Sequence, residues 1–223
     1  MKFMKSLTMG SICVSACLSG AVMAADVEVV LSDHIQDMTA SINRIEQKRE
    51  KSFRKHRDDN RTFAVTDSRR MAKARWNNVD WASEQLIDDV SSYTLKNLTV
   101  ALVNESLERA GVADQVGRVR VQIDTLRVSN HSLARLSGIN NHTEGKIELW
   151  DKSGRQIASV DVNSNMVPLF TSSRSYDGPN FAFADIHEKT RIGPTLSYFI
   201  YKGLDKAMAG KEFPRPITVL YND

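Results

Sequence analysis

The apolar positions of the chain change period twice along its length. Leu31, Ile35, Met38, Ile42 and Ile45 recur at steps of four, three, four and three. That spacing lines one narrow side of a helix, as in a helix resting on a partner or in a short coiled coil. Val27, Val29 and Leu31 alternate just before it and read as a short strand or a lead into the helix. Asp33 with Gln36 three residues on suits a helix start. Past Ile45 the seam positions turn polar at Arg49 and Ser52, so the helix is expected to run to about Arg57 as a solvated basic rod and to stop at Asp58-Asp59-Asn60. A second helical stripe runs through Leu86, Ile87, Val90, Leu95, Leu98, Leu102 and Leu107. Ala110-Gly111 ends it, with Gly as the left-handed residue, and Ser91-Ser92 marks a break.

The period then drops to two. Val119, Val121 and Ile123 alternate with Arg118, Arg120 and Gln122, and Leu126 and Val128 resume on a shifted phase, which predicts a bulge near Asp124-Thr125. Ile147 and Leu149, the turn Asp151-Lys152-Ser153-Gly154, then Ile157, Val160, Val162 and Met166 describe a hairpin. Residues 169–192 read as one long connection. Gly193-Pro194 opens a last helix through Leu196, Ile200, Leu204 and Met208, and residues 217–221 are expected as an edge strand. The sequence therefore predicts an α+β protein: an antiparallel β-meander of three to four strands, helices packed on one face, and an N-terminal basic amphipathic helix.

The first residues stand apart. Lys2 and Lys5 precede a short apolar stretch diluted with Ser and Gly, ending in Val22-Met23-Ala24 before Ala25. A charged head, apolar middle and small-residue end are the marks of a secretory signal. A membrane-spanning helix needs roughly 20 predominantly apolar residues, more than this stretch provides. Val14-Ser15-Ala16-Cys17 offers a competing reading, a bacterial lipobox with Cys17 lipidated, which would tether the protein. Either way the protein is expected outside the cytoplasm, in the periplasm or attached to a membrane. The organisation then reads as residues 1–24 signal, 25–78 a basic helical extension and 79–223 the globular domain. Both cysteines, Cys13 and Cys17, fall inside the signal, so the processed chain is expected to use neither disulfides nor catalytic thiols.

Charge adds one feature. Without Lys2 and Lys5 the 30 basic residues become 28 against 27 acidic, too even a balance for a nucleic-acid-binding domain. Residues 44–75 nevertheless carry twelve Lys or Arg against five acids. Arg49, Arg54, Lys55, Arg57, Arg69 and Arg70 are the candidates for contact with an anionic lipid surface. Glu46, Glu50, Asp58 and Asp59 are read as weak surface partners of that block.

No chemistry-bearing motif is present: no Gly-x-Ser-x-Gly, no phosphate-binding glycine loop, no His-Glu-x-x-His, and nothing that calls for a metal or cofactor. The 169–192 connection holds Tyr176, Phe181 and Phe183, which could close over a ligand, and Asp185 and His187, which could move a proton. These residues support a secreted hydrolase or ligand-binding enzyme as the rival reading. The leading expectation is a non-enzymatic cell-envelope protein acting as a binding or accessory subunit. Its seam of Leu31, Ile35, Met38, Ile42 and Ile45 would dock on an envelope protein partner or on a second copy.

Overall fold

A computed structural model describes residues 24–58, 81–128, 141–166, 170–171, 181–186 and 191–221. In chain order the elements are β1 (Asp26–Leu31), α1 (Asp33–Asp58), α2 (Ala82–Leu86), a 3-10 turn (Val90–Ser92), α3 (Leu95–Arg109), β2 (Arg118–Arg127), β3 (Asn141–Trp150), β4 (Gln156–Met166), β5 (Phe170–Thr171), β6 (Phe181–Ile186), α4 (Ile192–Ala207) and β7 (Pro216–Tyr221).

The main sheet has the order β1-β2-β3-β4. β2, β3 and β4 form the antiparallel meander, but β1 runs parallel to β2, with Val27 opposite Val119 and Leu31 opposite Ile123. The sheet is therefore mixed, not the purely antiparallel one that the sequence suggested. The reason is the connection: among the described residues α1, α2 and α3 lie between β1 and β2, long enough to carry the chain back to the starting end. Segment 25–78 thus contributes an edge strand to the main sheet. The bulge falls where the change of phase puts it, between Ile123 and Thr125. The hairpin turn closes with Gly154 at φ 83°.

A second sheet, β5-β7-β6, is wholly parallel and three strands wide. Two of its strands come from the 169–192 segment expected as a loop. β7 is its central strand and not an edge. β6, α4 and β7 make a strand–helix–strand unit. Trp81 adds a single bridge beside Ala182.

One face of the main sheet is dry. Val119, Val121, Ile123, Ile147, Leu149 and Val162 pack under α3 and α4, where Leu98, Leu102, Leu196, Phe199 and Ile200 are buried. At about 25 cal/mol per Å² of apolar surface this layer is the main source of stability. α3 is capped by the Thr94 hydroxyl, which accepts from the Asn97 N–H at 3.2 Å. Its first N–H donates to Asn43 Oδ1 of α1 at 2.8 Å, so α1 helps satisfy the end of α3. The free edge of β4 is partly covered: Lys202 and Lys206 of α4 donate to the carbonyls of Asn163 (2.9 Å) and Asp161 (3.2 Å). Lysine at a strand edge discourages pairing with other chains.

Candidate functional site

α1 has two chemically different sides. Its inward side carries Ile35, Glu46, Glu50 and Phe53, all buried. Phe53 meets Trp81 edge-on with ring centres 5.1 Å apart, so it is a packing residue. Glu46 and Glu50 sit one turn apart and face Arg191, the residue that precedes α4. Arg191 Nη2 donates to Glu50 Oε2, and Arg191 Nε lies 3.8 Å from Glu46 Oε2. Glu46 Oε2 also accepts from the Ile192 N–H at 3.4 Å, at the start of α4. A carboxylate at a helix N-terminus gains from the exposed N–H groups there. The Arg191 guanidinium stacks over Tyr93, 5.4 Å from the ring centre.

Two further arginines complete the cluster. Arg49 Nη1 donates to Glu46 Oε1 at 2.7 Å. Arg54 Nε donates to Glu50 Oε1 at 2.8 Å, while its other nitrogens reach the carbonyls of Ile87 (2.6 Å), Ser83 (3.3 Å) and Asp88 at the end of α2. Burial pushes the Glu50 carboxyl up. The Arg191 charge and the hydrogen bonds from Arg54 and Arg191 outweigh it together, and the group is held below the usual carboxylate range. Burial also works against the charge on Arg191. The carboxylates of Glu50 and Glu46 oppose this, and the guanidinium stays protonated. Burial pushes the Tyr93 phenol up, so it stays neutral. The cluster is a charged clamp that fastens α1 across α2 and onto the start of α4.

The outward side is different. At 100° per residue, Arg44, Lys48, Lys51 and Lys55 fall within an arc of about 60° and extend over about 16 Å. All four are exposed, and none is paired among the described residues. Of the set expected from sequence, Lys55 falls in this stripe. Arg54 is drawn inward and Arg49 is half-buried beside Glu46. Lys55 remains on the surface. The Arg57 side chain, and Arg69 and Arg70 entirely, lie outside the described residues.

The apolar seam also divides. Ile35 is buried, and Leu31 and Ile42 pack against the core, while Met38 and Ile45 face solvent. In the aromatic segment, Phe181 and Phe183 are buried core residues of β6. Asp185 pairs through its backbone with Leu220, and its side chain is outside the described part, as are Tyr176, His187 and Cys17. A shallow open depression of ≈ 290 Å³ lies at the end of α4, lined by Tyr201, Asp205, Lys211, Glu212, Phe213 and Arg215. Its two acids and two bases alternate in sign and converge on no common point of chemistry. Among the described residues no group of His, Cys, Asp or Glu could hold a metal, and no helix is long and apolar enough to cross a membrane.

The sequence reading missed Glu46, Glu50, Tyr93 and Arg191. A signal existed: Ile35, Ile42, Glu46, Glu50 and Phe53 continue one side of the helix at steps of seven, four, four and three. Extending the seam through Arg49 and Ser52 hid the acids.

Fold and clamp together define a small α+β body with a charged helix fastened along it, one side locked and the other free. No protein-family model, no curated protein and no solved structure matches the chain.

Proposed function

We propose that this is an exported, non-catalytic accessory protein of a cell envelope that holds an anionic membrane surface through the outer side of α1. The carrying observation is the stripe Arg44, Lys48, Lys51 and Lys55, unpaired among the described residues, on a helix whose opposite side is pinned by Glu46, Glu50 and Arg191. Complementing the helix dipole accounts for cations in the last turn, but not for Arg44 and Lys48 further back. A rigid row of four cations suits a plane of phosphate headgroups, where each contributes on the order of 1 kcal/mol. Export is supported by the charged head, apolar middle and small-residue end of residues 1–24, with the first strand starting just beyond at Asp26.

Vesicle sedimentation tests the membrane reading. The wild-type protein is expected to pellet with phosphatidylglycerol vesicles at low salt, to release as salt rises, and to ignore phosphatidylcholine. Changing Lys48→Ala and Lys51→Ala together should cost about 2 kcal/mol, roughly a thirty-fold weaker partition. Wild-type protein that stays in the supernatant with anionic vesicles removes the proposal. The intact mass of protein from its native host tests export. A chain starting at Ala25 is expected, a diacylated chain starting at Cys17 would convert the protein to a tethered one, and an intact Met1 would remove the export reading.

A further inference from the structure

We infer that two copies of the protein pair through α1, the helices antiparallel, with Met38 of one copy against Ile45 of the other. Among the described residues the exposed large hydrophobics are Met38 (39%), Ile45 (47%) and Ile157 (42%). Two of the three share one helix and are seven residues apart, two turns on the same side. Reversing the helix about a point between Ser41 and Ile42 exchanges the two positions. A patch that maps onto itself in this way is what a two-fold contact requires. Ser41, exposed and small, sits next to the axis and allows close approach.

Charge fixes the direction. The exposed acids of α1, Asp33 and Asp37, precede the patch, and the exposed cations Arg44, Lys48, Lys51 and Lys55 lie mostly beyond it. Antiparallel pairing sets Lys48 at the level of residue 35 of the other copy, between the two acids, and Lys51 near Asp33. Parallel pairing would set like charge beside like, which is unfavourable. The occupant is therefore a second copy and not an unrelated apolar partner, because this one helix supplies both halves of the complementary pattern.

Orientation links the pairing to the membrane. At 100° per residue the Met38/Ile45 patch lies about 100° round from the cation stripe, and the buried side lies about as far beyond. A two-fold axis through the patch then turns both stripes the same way, with both bodies on the opposite side. The pair presents eight cations on one surface, four of them, Lys48 and Lys51 of each copy, beside Asp33 and Asp37 of the other. That consequence rests on the membrane reading, whereas the pairing does not.

Cysteine cross-linking without lipid tests the pairing alone, in the full chain carrying Cys13→Ser and Cys17→Ser. Oxidising a mixture of Met38→Cys and Ile45→Cys proteins should give chiefly the mixed disulfide, and Ser41→Cys should link to itself. Thiols held together across a contact react at high effective concentration, so these links should form about ten-fold or more faster than those of Ser153→Cys, in the exposed β3–β4 turn. Lys48→Glu with Lys51→Glu should suppress the links, and adding Asp33→Lys with Asp37→Lys should restore them. Linking no faster than at Ser153, or dominant homodisulfides at positions 38 and 45, would overturn the pairing. All the sites are exposed, so circular dichroism should show an unchanged fold. Vesicle binding by a chain that fails to cross-link would leave the membrane reading standing without the pair.

Discussion

Replacing Arg191 with Met should destabilise the protein by about 3–5 kcal/mol, the usual cost of stripping one partner from a buried ion pair. Glu46 is 2% exposed and Glu50 is fully buried, so neither carboxylate can turn to water when the guanidinium is gone. A domain of this size has about 5–15 kcal/mol in hand, so the loss is a large share of it. Urea unfolding followed by circular dichroism measures it as a fall in midpoint. A drop below about 1 kcal/mol for Arg191→Met would mean that the clamp does not hold α1, since that is the value of an exposed pair. The pH dependence separates the variants. The wild-type Glu50 pKa is depressed on folding, so its contribution is complete above the unfolded carboxyl value of about 4.3 and is lost as pH falls through the lower folded value. In Arg191→Met the deficit should shrink in acid, because protonating Glu50 removes the buried charge that lost one of its two guanidinium partners.

Gly145→Ala should cost about 3 kcal/mol, at the upper end for overpacking. A Cβ there would sit 2.0 Å from the Gln122 carbonyl oxygen and 3.1 Å from the Ile123 Cα. Both are backbone atoms of β2, which cannot swing aside as a side chain can. Gly145 pairs with Ile123, immediately before the bulge. Gly154 provides the contrast. Nothing lies within 4 Å of its missing Cβ, but its φ of 83° disfavours other residues, so Gly154→Ala should cost only about 1 kcal/mol. Equal effects at the two sites in urea unfolding would contradict the close approach at β2–β3.

Much of the local structure was legible. The start and length of α1, the break before α3, the bulge at Asp124 and the hairpin at Gly154 all follow from residues close in sequence. The candidate site was legible only by half. The sequence placed a basic helix correctly but could not sort its charges, because each of Arg49, Arg54 and Lys55 is equally good on either side of a helix until a counter-charge is located. The counter-charges of Arg49 and Arg54 are Glu46 and Glu50, and the cation that faces those two acids from the core side, Arg191, lies 141 residues from Glu50.

The sequence by itself determined α1, α3, α4, the β2–β3–β4 meander and the cationic character of α1, but not β5 and β6, since caps, turns and periodicity act over a few residues. Only the tertiary structure decided that β1 joins β2 in parallel, that β7 lies between β5 and β6, and that Glu46 and Glu50 point inward while Arg44, Lys48, Lys51 and Lys55 point out. Strand direction and the side on which a charge lies depend on contacts between distant segments. Alternation of residues along one strand or helix contains no record of them.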